Sequence, residues 1–225
     1  MQDGVLERID KIVAGIVESQ GTTMKEEQSE PSQSRESSMR ALSLWKASQT
    51  PDRHKLFDRD HNTSAEWSDQ CDKVLAAIGT GSMIVILGNR GAGKTQMAVC
   101  AIRESCKMLR PALYVKAWDF FLDIRATYKK DSTVTERDVL GLYVKQSLLV
   151  VDAIENRSES QFENNMLSHM VDLRYDDMVD TILIANYDEK AFAAAMGPSI
   201  VDRIIECGIK VLCNWKSFRR NKLQN

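Results

Sequence analysis

The sequence predicts an α/β fold in which helices cover both faces of a five-stranded parallel sheet. Two observations lead to this prediction. From about residue 67 onward, short apolar runs alternate with helical patterns, and the runs lack the polar alternation of half-exposed strands. A glycine-rich loop also joins the first apolar run to the first of these helical patterns, which is where phosphate-binding loops lie in nucleotide-binding α/β proteins.

The strands are predicted where the apolar character is continuous, at residues 83–87, 112–115, 148–151, 181–185 and 209–212. The helical patterns between and after them span about residues 94–109, 117–128, 135–145, 160–174 and 189–205. Before this domain, apolar residues at helical spacing predict an amphipathic helix within residues 1–18. Residues 19–50 are rich in Ser, Gln and Glu and are predicted to be a flexible linker, which leaves residues 51–225 for the main domain.

Composition restricts the classes of function. The 225 residues include 30 basic and 32 acidic side chains, so no general positive field attracts nucleic acid and any such contact must be local. Five cysteines form an odd set without CxxC spacing, and no apolar run reaches the length that crosses a bilayer. We therefore expect a reduced, cytoplasmic protein without a membrane partner.

The glycine-rich loop has the pattern of a P-loop for ATP and Mg²⁺. Its predicted cofactor-binding residues are Gly88, Asn89, Arg90, Gly91, Ala92, Gly93, Lys94, Thr95 and Gln96. Backbone N–H groups of such a loop surround phosphate oxygens, the lysine reaches the β and γ phosphates, and the hydroxyl of Thr95 binds Mg²⁺. Asp152, at the end of a neighbouring apolar run, is predicted to complete the metal site with Thr95.

The order of several motifs resembles AAA+ ATPases of the DnaC/IstB type, and most closely the DnaC-like replicative helicase loaders, including those of bacteriophages. These motifs are the P-loop, Leu148-Leu149-Val150-Val151-Asp152, Glu159-Ser160-Gln161-Phe162-Glu163, Ile184-Ala185-Asn186, Val201-Asp202-Arg203 and Asn214-Trp215-Lys216-Ser217-Phe218-Arg219. The resemblance covers roughly residues 60–220. It implies an AAA+ core, and because six residues follow Arg219 we expect no C-terminal helical lid.

The resemblance also implies roles for three polar residues. Asn186 corresponds to sensor 1, whose amide contacts the γ-phosphate or the attacking water, although an Asn at this point also suits a turn. Arg203 corresponds to the arginine finger offered to a neighbouring subunit, or else is a surface arginine in an intrahelical ion pair. Arg219 corresponds to sensor 2, or else belongs to a basic tail.

Loaders of this kind bind single-stranded DNA, and Tyr128, Ser160 and Phe162 lie at the corresponding positions. The alternatives are a core-facing Phe162 and a solvated helix end at Tyr128. The implied protein partners are a DnaB-type replicative helicase and further copies of this chain, in a ring or spiral of six subunits. The N-terminal helix is expected to bind the helicase; alternatively it self-associates or packs on its own core.

One departure from the family affects catalysis. The family usually has Asp-Glu where this chain has Asp152-Ala153, and an alanine cannot orient the hydrolytic water. Glu155, two residues later, is the candidate replacement. We therefore expect a weak ATPase. Two other functions remain open: an IstB-like transposition ATPase, and an adaptor that binds nucleotide without hydrolysing it.

Overall fold

The computed structural model describes residues 8, 11, 30–57, 59, 64–129 and 132–219. The strands are β1 (Met83–Gly88), β2 (Ala112–Lys116), β3 (Leu148–Asp152), β4 (Asp180–Ala185) and β5 (Gly208–Cys213). The helices are α1 (Glu30–Ala47), α2 (Asp52–Lys55), α3 (Ala65–Ala77), α4 (Lys94–Lys107), α5 (Ala117–Ala126), α6 (Glu136–Val144), α7 (Gln161–Asp176), α8 (Glu189–Met196) and α9 (Pro198–Cys207), with a 3₁₀ turn at Ile154–Asn156.

The five strands form one parallel sheet in the order β2-β3-β4-β1-β5. This confirms the predicted fold class and all five predicted strands. Because the strands are parallel, their carboxyl ends lie along one edge of the sheet. Strand β4 lies between β1 and β3, so residue Asn186 after β4 is flanked by the P-loop after β1 and by Asp152 at the end of β3.

Alternate side chains of each strand face two hydrophobic layers. Met83, Val85 and Leu87 of β1 face a layer supplied by α5 to α9, whereas Ile84 and Ile86 face α1, α3 and α4. All five of these β1 side chains are buried. The strand sequences therefore lack polar alternation because both faces of the sheet are covered. The side chains of Cys71, Cys100, Cys106 and Cys213 are buried and that of Cys207 is exposed, and these five described cysteines form no disulfide bond.

The single helix predicted at 189–205 is wrong, because the chain forms two helices there. Helix α8 ends before Gly197, which has a φ of +76°, and Pro198 begins α9. Proline lacks the N–H that would continue α8 and disfavours helical geometry at the residue before it, yet it suits the first position of a new helix. The break places Arg203 in α9, a helix separate from α8.

The predicted flexible linker is wrong for residues 30–50. Helix α1 occupies most of this range, and Leu44 near its carboxyl end is only 4% exposed. The Trp45 ring lies under the guanidinium of Arg103, 4.9 Å from it, and the carbonyl of Ser48 accepts a hydrogen bond from Tyr114 N at 2.8 Å. These contacts tie the segment to α4 and β2. Residues 19–29 lie outside the described residues.

Most of the predicted N-terminal helix also lies outside the described residues. Arg8, which is described, forms ion pairs of 3.3 Å with Asp119 and 3.5 Å with Asp123, both on α5. This contact favours packing on the core as one of the arrangements open to the N-terminal segment. Across the described ranges, no helix is both long enough and apolar enough to cross a membrane.

Candidate nucleotide site

The loop from Gly88 to Thr95 connects β1 to α4 and takes a conformation that requires its glycines. Gly88, Gly91 and Gly93 have φ values of +126°, +81° and +84°. A Cβ atom at Gly88 would lie 2.3 Å from the carbonyl oxygen of Cys213. The glycines are therefore needed for the positive φ angles of the loop. At Gly88, glycine also allows the close approach of the backbone at Cys213 in the same chain. Asn89 and Arg90 are exposed at the tip of the loop.

Lys94 lies at the centre of the site and is only 6% exposed. Its ammonium group donates to the carbonyls of Gly88 and Asn89 at 2.7 and 2.8 Å, and to Oδ1 of Asn186 at 2.7 Å. Burial lowers the pKa of Lys94, an effect opposed in part by negative charge that includes Glu155. A bound phosphate group would supply further negative charge close to this buried ammonium and would thereby favour its protonated form.

Thr95 and Asp152 are brought together as predicted for a metal site. The Thr95 hydroxyl donates to Oδ2 of Asp152 at 2.8 Å, and the N–H of Ala153 donates to Oδ1 at 2.7 Å. Mg²⁺ prefers oxygen ligands, and a hydroxyl and a carboxylate beside a phosphate-binding loop are of this kind. Thr95 and Asp152 could therefore hold the Mg²⁺ of a magnesium nucleotide. When bound, the ion would neutralise charge on the β and γ phosphates.

Tyr114 is a residue of this site that the sequence analysis missed. Its hydroxyl donates to the same Oδ2 of Asp152 at 2.7 Å, and both side chains are buried. Burial, followed by the negative charge of Asp152, raises the pKa of the Tyr114 phenol well above its ordinary value, so it remains a donor. A polar tip on an otherwise apolar strand was the only signal in the sequence.

Glu155 reaches the site through an unusual turn. Ala153 has left-handed angles, φ 57° and ψ 46°, and the 3₁₀ turn that follows directs the chain back towards β4. The Glu155 carboxylate accepts from the backbone N–H of Asn186 at 3.0 Å and also from the Asn186 side-chain amide. Asn186 therefore connects Glu155 to Lys94, since its amide group bonds to both.

Two other predicted nucleotide-binding residues have different surroundings. The side chain of Gln96 turns towards the segment before α3, where it bonds His54 Nδ1 at 3.0 Å and the carbonyl of Phe57 at 2.8 Å. Arg219 lies beside the loop, with its Cγ 3.4 Å from where a Cβ of Gly91 would be. The charge of Arg219 also contributes to the lowered pKa of Lys94.

Arg203 contacts helix α7 of its own chain. Its guanidinium forms a 3.1 Å ion pair with Asp172 and lies 5.2 Å from the ring centroid of Tyr175, both on α7. It also donates to the carbonyl of Ser199 at 3.0 Å within α9. The predicted alternative of an ion pair within one helix is wrong, because Arg203 pairs with Asp172 of α7. A role as an arginine finger would require a second subunit and release from Asp172.

The predicted DNA-binding residues come together at the end of α5 and the start of α7. The rings of Tyr128 and Phe162 pack edge to face at 5.9 Å, and Tyr128 is 60% exposed. Ser160 caps α7 by accepting from the N–H of Glu163 at 3.3 Å, which leaves its hydroxyl hydrogen as a donor. Arg125, which the sequence analysis missed, lies 5.9 Å from the Phe162 centroid; it is one helical turn before Tyr128.

Comparison with known proteins decides the family. The model of the family described as IstB-like ATP binding protein matches residues 18–225. The chain belongs to this family. ATP binding is a property of the family, and it agrees with the arrangement of Lys94, Thr95 and Asp152.

Curated relatives are named as replicative helicase loaders. The DnaC loader of Buchnera aphidicola subsp. Baizongia pistaciae is 24% identical over 158 residues, which is 70% of this chain and 62% of that protein. The chain thus spans less than two thirds of the relative it matches. Among solved structures, a DnaC helicase loader has a TM-score of 0.63 at 16% identity and covers 72% of this chain and 99% of that one. DnaA from Aquifex aeolicus with bound AMPPCP has a TM-score of 0.60 at 22% identity and covers 72% and 53%. These likenesses establish the AAA+ fold.

Proposed function

We propose that this protein is an ATP-dependent loader of a replicative DNA helicase of the DnaB type. In this proposal it assembles around ATP, binds the helicase and delivers it to single-stranded DNA in the cytoplasm. The observation that carries the proposal is that one chain combines a P-loop, with Thr95 bonded to Asp152, and an exposed Tyr128 whose ring packs on the partly buried Phe162 beside Arg125. The helicase loaders among its relatives support the choice of partner.

The aromatic pair is suited to single strands because bases stack on aromatic rings without sequence preference. Arg125 adds a positive charge beside Phe162, although it also pairs with the buried Glu163 at 2.7 Å. Lys129, the residue after Tyr128, is exposed and available for phosphate contact. The net charge of −2 is consistent with a contact limited to this patch.

Assembly is proposed to complete the site. Arg203 makes its contacts to α7 rather than to the P-loop of its own chain. A guanidinium from a neighbouring subunit would add positive charge at the γ-phosphate, as arginine fingers do in other nucleotide hydrolases. The oligomer is proposed to be a ring or spiral of six subunits, in which ATP stabilises the contact between neighbours.

Hydrolysis is proposed to depend on Glu155. Its carboxylate accepts from the backbone N–H and the side-chain amide of Asn186, and that side chain also accepts from Lys94. When Lys94 turns to phosphate, the Asn186 amide oxygen is released from its bond to the ammonium. Both oxygens of Glu155 accept from Asn186, and the remaining lone pairs of the carboxylate can then accept from a water. Since this glutamate is two residues beyond the usual position, we expect slow turnover.

The proposal is tested by capturing the host helicase with the purified protein in the presence of ATP, ADP or no nucleotide. A loader should retain more helicase with ATP, and Lys94→Ala should abolish the difference. Helicase binding that ignores nucleotide would instead support an adaptor without an ATP switch. Helicase placement on a single-stranded circle, with and without the protein, then measures loading directly.

A second function, an IstB-like transposition ATPase, is favoured by the matching family model. Such a protein would assemble on duplex DNA and recruit a transposase. Binding to single-stranded and duplex DNA of equal length separates the two functions. Tyr128→Ala should weaken binding to the single strand by about 1–3 kcal/mol if its ring stacks on a base. Tight duplex binding that is insensitive to this change would favour the transposition role.

A further inference from the structure

Three consecutive carbonyl oxygens of the P-loop accept hydrogen bonds from outside the loop. The bonds, donor first, are Phe218 N to Gly91 O at 2.9 Å, Trp215 Nε1 to Ala92 O at 3.0 Å and Trp67 Nε1 to Gly93 O at 3.1 Å. Two indoles and one backbone amide therefore hold the outer side of the loop. We call these three donors the loop brace.

The brace determines which way the inner side of the loop points. A peptide unit is planar and trans, so its carbonyl and the N–H of the following residue point in opposite directions. Holding the three carbonyls outward directs the N–H groups of Ala92, Gly93 and Lys94 to the other side of the loop. Backbone N–H groups are the ligands with which such loops bind phosphate.

The parts of the brace come from two distant regions of the chain that meet at the loop. Trp67 lies in the first turn of α3 and is fully buried. Trp215 and Phe218 follow β5, and Arg219 comes next. A Cβ atom on Gly93 would lie 2.6 Å from Trp67 Nε1 and 3.2 Å from the Phe218 ring, so the two regions meet over this glycine.

We propose that Trp67 and Trp215 are positioning residues for the phosphates, and that the segment 215–219 responds to occupancy of the nucleotide site. Coupling between the brace and the bound phosphates is reciprocal, so a brace that favours binding is itself stabilised by the nucleotide. Stabilisation of segment 215–219 by the nucleotide would also fix the position of Arg219, which lies beside Gly91. The inference rests on ATP binding and is independent of helicase loading.

Phenylalanine substitutions test the role of the two indoles, because they keep an aromatic ring and remove only the N–H donor and part of the ring volume. We expect Trp67→Phe and Trp215→Phe each to weaken ATP binding about threefold to tenfold by calorimetry, the effect of one lost hydrogen bond. Affinity for adenosine should change by less than about twofold on the same scale, because the brace acts on the phosphate side. The matched control is Trp45→Phe, because the Trp45 ring lies under the guanidinium of Arg103 on α4 and is no part of the loop brace. This variant should bind ATP as the wild type does.

Hydrogen exchange tests the response of the C-terminal segment. In the wild type, Mg-ATP should slow exchange of the amides in residues 215–219, and Lys94→Ala should abolish that protection. Trp215 is only partly buried, so its variant keeps the test valid even if Trp67→Phe lowers the unfolding temperature.

The possible failures are distinct. Two results would overturn the proposed role of the brace and leave the nucleotide site intact. The first is that Trp67→Phe and Trp215→Phe both bind ATP with the affinity of the wild type. The second is that the wild type binds ATP but the amides of residues 215–219 exchange at the same rate with and without it. Equal losses for ATP and adenosine would also overturn it, since the phosphates would then not be the group affected. A wild type that binds no ATP would overturn the nucleotide site together with its brace.

Discussion

Replacing Tyr114 with phenylalanine should weaken magnesium binding without removing the nucleotide site. The change deletes the hydroxyl that donates to Oδ2 of Asp152 at 2.7 Å and leaves the donors from Thr95 and Ala153 in place. Asp152 is 7% exposed and Tyr114 is 6% exposed, so water does not readily replace the lost donor. The carboxylate would then be less well oriented towards the metal.

The magnitude follows from two independent scales. A hydrogen bond to a charged group contributes about 1.5–3 kcal/mol. Loss of a residue that orients a metal ligand usually costs about 10- to 100-fold in metal affinity, which corresponds to about 1.4–2.8 kcal/mol. We therefore expect the Mg²⁺ concentration that supports half-maximal ATP binding to rise at least about tenfold.

The assay is a Mg²⁺ titration of ATP binding, with binding in the absence of metal measured in parallel. Tyr143→Phe is the matched control, because Tyr143 is also buried and also donates to a carboxylate, that of Asp123, in the opposite hydrophobic layer. It should lower stability without changing the Mg²⁺ requirement. An unchanged Mg²⁺ requirement in Tyr114→Phe, or an equal change in the control, would refute the reasoning.

Three further predictions concern charged residues. Burial lowers the pKa of Lys94, and a bound phosphate should raise that pKa again, so ATP binding at alkaline pH should be accompanied by proton uptake. Calorimetry in buffers of different ionisation enthalpy measures this uptake, which should be absent in Lys94→Met. Glu155→Gln should reduce steady-state phosphate release about 100-fold or more with ATP affinity nearly unchanged, and undiminished release would exclude Glu155 as the base. Arg174 is fully buried and donates to four carbonyls and a hydroxyl, so Arg174→Met should cost about 3–5 kcal/mol in urea unfolding, whereas exposed Arg137→Met should cost little.

The fold was predictable because its signals are local. Short uninterrupted apolar runs such as Leu148–Val151 are typical of strands buried on both faces, and the P-loop requires a strand before it and a helix after it. The linker prediction failed for a related reason. Helix α1 has a polar composition, and of its described side chains, which begin at residue 34, it is those near its end, such as Leu44, that pack on the core.

By itself, the sequence determined the nucleotide loop and the order of the strands along the chain, and it singled out Thr95 and Asp152 as candidate metal ligands, since each depends on residue type within a short segment. Only the tertiary structure decided which distant groups meet these residues. Tyr114 reaches Asp152 because β2 pairs with β3, and Glu155 reaches Asn186 because Ala153 turns the chain with left-handed angles. Trp67 and Trp215 contact the loop from opposite ends of the domain. Such contacts arise from packing between elements far apart in the chain, and spacing within one segment carries no information about them.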